Sequence, residues 1–285
     1  MLRAPFASVF VACAGAVVLF AAAGSCSKSS TATADPSGTI SIGFIDSLTG
    51  DQGQVGVPLK TATQVAEWQV NAIGGISGKH VAYEIVDDGT VTTKTTSYAN
   101  QFIQEGVGGI LGPASSNQVN AVQGLFYAAK FIEISATATS PAFDTVQPLH
   151  DRYFFRTIAP SNRMALVVSR FAALGPQSAL DGGVLEAGAD AGVLGQPCTR
   201  LQIVNAGDSF GQPFADAVKA DFVSHGGMVL PPIVIPTTLQ ASYATQVAQL
   251  IAVTPKADCA ALLMFEPAAA QFMLDFKKAT GMDGS

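Results

Sequence analysis

Ile40–Gly56, ISIGFIDSLTGDQGQVG, decides how the rest of the chain is read. With Thr39, its first half forms TISIGFIDS, a run rich in β-branched and apolar residues that reads as a buried strand. The run breaks into the loop DSLTGDQGQVG, which holds three glycines but neither a Walker pattern nor a dinucleotide fingerprint, so no nucleotide reading is supported. VPLKTATQVAEWQVNAI (57–73) then places apolar residues near helical spacing and stops at Gly74–Gly75.

The same succession repeats along the chain. HVAYEIVDD (80–88) reads as a strand, TTKTTSYANQFIQE (92–105) as a helix, and VGGILG (107–112) as a strand. SSNQVNAVQGLFYAAK (115–130) is a helix and FIEISA (131–136) a fourth strand. TATSPAFDTVQPLHDR (137–152) is rich in turn residues, and YFFRTIAP (153–160) reads as a crossing strand. After the helix SNRMALVVSRFAAL (161–174) comes a Gly/Ala/Asp-rich insertion without period, ALDGGVLEAGADAGVLGQP (179–197). The alternation then restarts with RLQIVNA (200–206), GQPFADAVKADFVSHG (211–226), MVLPPIVIP (228–236), YATQVAQLIAV (243–253), CAALLMF (259–265) and PAAAQFMLDFKKATG (267–281). Strand and helix alternating in this way predict α/β architecture, with parallel sheets covered on both faces. The junction near 155–160 divides the chain into two Rossmann-like units. The second has only three clear strands, so the second lobe and its return crossing read as incomplete, as in a fragment.

Apolar residues make up 48% of the chain and charged residues 13%, enough to build a sizeable core. The net charge is −6 with no basic patch, which excludes nucleic acid as an expected partner. The N-terminal forty residues differ in kind. Arg3 precedes an uncharged stretch to Ser25, centred on VFVACAGAVVLFAAAG (9–24), and Cys26 follows the small residues Ala23-Gly24-Ser25. A basic start, a short apolar core and a small-residue exit form a secretory signal. The Cys at the exit fits a lipoprotein signal in which Cys26 is lipidated, although Ala23 stands where such signals usually carry Leu. Ordinary cleavage near Ala21–Ala23 and an uncleaved anchor helix are the alternatives. All three place the folded part outside the cytoplasm. The expected organisation is therefore a signal peptide at 1–25, a flexible tether at 26–39, lobe one at 40–157 and lobe two at 158–285. No later segment reaches the length of a membrane span.

Of four cysteines, only Cys198 and Cys259 belong to the folded part. Each immediately precedes a strand of the second unit, and strands of a parallel sheet start at one edge. An oxidising compartment then favours a disulfide between them, the alternative being two buried thiols. The cysteines have no CxxC spacing and the three histidines are scattered, so no metal site is expected. No cofactor is expected either.

In doubly wound sheets ligands sit at the carboxyl ends of strands. GPASSNQ (112–118) puts Ser115 and Ser116 at a helix start, as a helix cap or as an anion holder. SATATSP (135–141) offers hydroxyls at the next strand end. Asp87–Asp88 reads as a solvated turn and His150 as surface. No G-x-S-x-G elbow and no nucleophile–base set can be assembled, so the chain is not read as an enzyme.

Together these segments resemble the branched-chain amino acid binding proteins of ABC transporters, which have the type I periplasmic binding fold. The resemblance rests on ISIGFIDSLTGDQGQVG, VNAIGGISGKHVAYEIVDDG, GVGGILGPASSNQ, ISATATSPAF, YFFRTIAPSN and NAGDSFGQPFADAV, in that order along residues 39–285. It implies that Ser116 holds a ligand α-carboxylate, and that Thr137 and Thr139 present a carbonyl and a hydroxyl to the ammonium. Val55 stands in the loop position where relatives often place an aromatic wall. Phe210 stands for a lobe-two aromatic, usually Tyr, and Phe265 and Glu266 supply a further lobe-two contact. The implied function is extracytoplasmic capture of an amino acid or related amide or carboxylate between two lobes. The implied partners are the small ligand, an ABC permease, and the membrane through a lipid anchor. A sensor lipoprotein feeding a receptor is the alternative binding reading, and a lipid-anchored α/β hydrolase the alternative from another class.

Overall fold

The structure is a computed structural model and describes residues 38–178 and 197–281. The expected signal peptide, most of the tether, Cys26 and most of the Gly/Ala/Asp-rich insertion lie outside the described residues. Residues 34–285 belong to one compact unit. It contains two sheets, and every strand pairing in both is parallel.

The first sheet has the order β2-β1-β3-β4-β5, with β1 Thr39–Asp46, β2 His80–Asp87, β3 Ile110–Leu111, β4 Glu133–Ser135 and β5 Phe154–Arg156. β1 lies inside the sheet, in register with β2 from Thr39↔His80 to Asp46↔Asp87. Its side chains alternate, as a strand requires. Ile45 faces the helices α2 (Thr92–Glu105) and α3 (Ser116–Ala129), where it packs with Phe102, Ile110, Val122 and Phe126. Each such large apolar side chain stabilises the fold by about 1.5–3 kcal/mol when fully buried. The opposite face, with Phe44 and Asp46, meets α1 (Gly53–Ala72). That helix packs on β2 and β1, and the coverage ends there. Phe44 is 1% exposed, whereas Ile134 on β4 and Phe155 on β5 are 37% and 47% exposed. The expectation of a sheet covered on both faces is therefore met only in part in lobe one. Among the described residues a single helix serves that side, and it reaches only half the sheet.

The second sheet centres on β6 (Arg200–Ala206). β9 (Cys259–Leu263) pairs with it on one side, and β7 (Met228–Val229) and β8 (Ile233–Ile235) on the other. MVLPPIVIP was expected as one strand, but Pro231 and Pro232 lack the N–H that a ladder needs, so it divides in two. Here both faces are covered. α4 (Ser161–Ser178) and α5 (Gly211–Ser224) enclose Leu201, Ile203, Leu263, Phe214 and Phe222. α6 (Ala244–Ala252) and α7 (Glu266–Thr280) enclose Val204, Ile235, Tyr243, Met264 and Phe272. Cys259 is in register with Leu201, and Cys198 lies just before β6. The two sulfurs are bonded, with Cα atoms 6.0 Å apart and a sequence separation of 61.

No described helix is long and apolar enough to cross a membrane.

Candidate functional site

The carboxyl ends of both sheets face a common cleft, with a cavity of about 340 Å³. Its lobe-one side is built on a buried carboxylate scaffold. Asp88 is fully buried and accepts from Ser47 Oγ (2.6 Å), the Thr90 amide (2.9 Å) and Thr95 Oγ1 (2.9 Å). Asp87 accepts from Thr49 Oγ1 (2.6 Å) and from the amides of Leu48 and Gly89. Burial pushes the Asp87 pKa up, but these hydrogen bonds outweigh it and hold the carboxyl below its ordinary value. Asp87–Asp88 is thus no solvated turn. It fixes the loops after β1 and β2, which carry Asp51, Gln52, Thr90 and Val91 into the cleft wall.

The next part of the wall is the start of α3. Gly112 leads into it with φ +95°, and a Cβ there would lie 2.1 Å from the Ile45 carbonyl oxygen, so only glycine fits. Ser115 caps the helix by accepting from the Asn117 amide (3.2 Å). Ser116 Oγ accepts from the Ser140 amide (3.2 Å), and Thr137 Oγ1 donates to the Ala114 carbonyl (2.8 Å). The Thr139 carbonyl accepts from the Ser161 amide (2.7 Å), while its buried hydroxyl has no partner among the described residues. These hydroxyl-bearing residues join the loops after β3 and β4 to one another and to the first crossing. Ser116, Thr137 and Thr139 do not line the cavity; Asn117 and Gln118 do.

Lobe two contributes Asp208 after β6, residues 235–239 after β8, Tyr243 before α6, and Met264, Phe265 and Pro267 after β9. Phe265 lines the cavity, and Phe210 stacks on it behind, with ring centroids 4.8 Å apart. Glu266 is exposed as the first residue of α7 and does not line the cavity, while Val55 is half-buried and also set back from it. Val55 was expected in a loop. The helix α1 begins at Gly53, four residues earlier than the apolar pattern indicates, so Val55 sits in its first turn.

Two bridges cross the cleft. Asn117 Nδ2 donates to Asp208 Oδ2 (3.1 Å), and Asn117 Oδ1 accepts from Ser209 Oγ (2.6 Å) and the Ser209 amide (3.2 Å). The Leu239 amide donates to Asp51 Oδ2 (2.8 Å). Sequence reasoning missed Asp51, Asn117, Gln118 and Tyr243. The usable signals were the adjacency of Asn117 and Gln118 to the GPASS loop, and the place of Asp51 in the loop after the first strand; Tyr243, just before α6, carried none.

Chemically the cleft is asymmetric. Two carboxylates, Asp51 and Asp208, line it, with no Lys, Arg or His among the lining residues. The N-termini of α2, α3 and α7 open onto it. Such termini carry free N–H groups and partial positive charge. The arrangement can hold a small molecule with both a positive and a negative group, against an apolar wall of Ile235, Leu239, Met264 and Phe265. The one cluster of three residues of metal-ligating types among the described residues, Cys198, Asp258 and Cys259, has its two sulfurs bonded to each other and offers no thiolate.

Comparison with known proteins agrees with this architecture. Residues 39–285 match the family described as "Periplasmic binding protein". The Leu/Ile/Val-binding protein BraC3 of Rhizobium johnstonii is 28% identical over 187 residues, which is 66% of this chain and 45% of BraC3. A solute-binding protein of an ABC transporter from Rhodopseudomonas palustris, solved with 3,4-dihydroxybenzoic acid, superposes with TM-score 0.67 at 18% identity, over 86% of this chain and 60% of that one. The branched-chain amino acid transporter substrate-binding protein LivJ from Streptococcus pneumoniae, solved with isoleucine, gives TM-score 0.62 at 17% identity, over 79% and 56%. This chain thus spans about half the length of the relatives it matches. With the family matched over nearly all of the folded part, and with the paired parallel sheets and the cleft between them, the chain belongs to the periplasmic binding protein family, whose members bind ligands and are not enzymes.

Proposed function

We propose that this protein is the solute-binding component of an ABC transporter and captures an amino acid with an apolar side chain between its lobes. The observation that carries the reading is the charge of the cleft. Asp51 and Asp208 line it without a basic side chain. A zwitterion suits that wall, its ammonium toward the carboxylates and its carboxylate toward the helix N-termini. A bare organic anion lacks the first interaction and meets repulsion. The volume, about 340 Å³, lies at the small end of ligand pockets, which run from about 300 to 1,000 Å³.

In this reading Phe265 contacts the ligand and Phe210 supports it. Ser116 and Thr137 hold the start of α3 in place, and the Thr139 carbonyl holds the start of α4. Ligand favours the closed form because lobe two adds contacts only when shut. An N-terminal signal with lipidation at Cys26 would tether the protein outside the cytoplasm, where a permease reads the closed form.

A second reading, an aromatic acid as ligand, draws on the stacked Phe210–Phe265 pair and on the dihydroxybenzoate bound by the Rhodopseudomonas neighbour. Calorimetric titration with leucine, isoleucine, valine, phenylalanine and 3,4-dihydroxybenzoate decides between them. Heat from the amino acids alone supports the first reading; heat from the dihydroxybenzoate alone replaces it with the second.

A further inference from the structure

Gln118 is the third residue of α3, and Ser115-x-x-Gln118 has the sequence of a capping box. In that motif the serine accepts an amide of the first turn, and the glutamine reaches back to the amide of the serine. The serine half forms, with Ser115 Oγ accepting from the Asn117 amide. The glutamine half does not. Gln118 Oε1 has no hydrogen-bond partner among the described residues, although the side chain is only 1% exposed. Its neighbours behave differently. Ser116 Oγ is engaged by the Ser140 amide, and both ends of the Asn117 amide bridge to Asp208 and Ser209. Of the side chains in the SSNQ run, Gln118 alone keeps a buried acceptor free, and it forms part of the cleft wall.

A buried carbonyl without a donor destabilises the fold, and native proteins keep few of them. The oxygen itself is sealed from the cavity that the residue lines, so it reaches a ligand only when the Gln118 amide turns toward the cavity. We infer that Gln118 is a ligand-binding residue whose Oε1 accepts an N–H from the ammonium group of the bound amino acid. This deepens the amino acid reading and rests on it. A donor is required because the free atom is an acceptor. A positively charged donor is favoured because Asp51 and Asp208 line the same cavity without a compensating base.

The test compares wild type with Gln118→Leu in two measurements. The first is calorimetry with L-leucine and with 4-methylpentanoate, which is leucine without its ammonium. Gln118→Leu is expected to weaken leucine binding by roughly tenfold to a hundredfold, the usual loss for a hydrogen bond to a charged group. Binding of 4-methylpentanoate should stay as in wild type. Equal leucine affinities in the two proteins overturn the inference. The second is the melting temperature without ligand. An orphan carbonyl replaced by an apolar group of similar size should leave it unchanged or raise it by about 2–4 °C. A fall means that Gln118 has a structural partner, and this also overturns the inference. If wild type binds none of the amino acids, the functional reading fails separately. The melting comparison still decides whether the Gln118 acceptor lacks a structural partner, and a fall overturns the inference on its own.

Discussion

Asp46 gives a prediction whose size follows from the structure. It ends β1 on the α1 side, 2% exposed, against a pocket of about 210 Å³ lined by Phe44, Leu59, Ala62, Leu111 and Ala136. Oδ1 accepts from the Ser47 amide (2.8 Å), and Oδ2 has no partner among the described residues. Burial raises its pKa, the Ser47 and Ala114 amides oppose that, and the nearby Asp88 and Asp87 add to it, so the group is pushed up from 3.8 to about 7. Between these values the unfolded chain has lost the proton and the folded chain keeps it. Stability from this group is therefore full below pH 3.8 and falls as pH rises, levelling off above about 7. One pKa unit is worth about 1.36 kcal/mol, so the whole shift sets a ceiling of about 4 kcal/mol.

Asp46→Asn removes the titration and keeps an oxygen for the Ser47 amide. Its Nδ2 is as poorly partnered as the protonated acid, so the two proteins should be close in stability at pH 5. From pH 5 to 7 wild type should lose about 2.3 kcal/mol relative to the variant, because the folded group is already half ionised at pH 7. Urea unfolding at pH 5, 6, 7 and 8, with the difference between the two proteins taken at each pH, isolates this group from every other titration. Parallel profiles across that range would refute the reasoning.

Three further outcomes are expected. Replacing Cys198 and Cys259 together by Ala should cost about 4 kcal/mol, the chain-entropy value for a loop of this length; intact-mass analysis must first show the wild type gaining about two daltons on reduction, and no gain means there is no bridge. Asn117→Ala deletes the three hydrogen bonds to Asp208 and Ser209, worth about 0.5–1.5 kcal/mol each; the ligand-free protein should open and show a larger radius of gyration by X-ray scattering, and an unchanged radius would exclude Asn117 as a latch. A fatty-acid probe fed to the producing cells should label wild type and not Cys26→Ala, and an unlabelled wild type would point to simple secretion.

What the sequence reveals and what it hides separate along one physical line, the range of the interactions involved. α2 at Thr92–Glu105 and β6 at Arg200–Ala206 appear where the periodicity puts them, because apolar period and local stop signals define both. The start of α1 and the division at Pro231–Pro232 were misread locally, the first because polar Gly53–Gln54 carries no apolar signal. The wall of the cleft was harder. Asn117 meets Asp208 across 91 residues and Asp51 meets Leu239 across 188, and no spacing rule reaches that far. Ser116 shows the converse. A hydroxyl at a helix start looks the same in sequence whether it faces a ligand or the next loop; here it accepts from the Ser140 amide, which leaves its O–H free to donate.

The two bridges bear on how such a cleft responds to ligand. Asn117 and Asp51 both line the cavity and bond across it, so latch and cavity wall share residues. A ligand shifts an equilibrium only by the difference in its affinity for the two states. If the latch were very strong, the empty protein would already be closed and ligand would change nothing that a partner could read. At about 0.5–1.5 kcal/mol per hydrogen bond, offset by the entropy of immobilising the lobes, these few bonds leave the closed form within a few kcal/mol of the open one. In that range a ligand binding the closed form a hundredfold more tightly moves the population substantially. A ligand that drew Asn117 or Asp51 toward itself would exchange latch bonds for binding bonds and gain less closure for its affinity. Ligand contacts that shut the lobes most effectively are therefore those made by residues outside the latch, and Gln118 and Phe265 line the same cavity without taking part in either bridge.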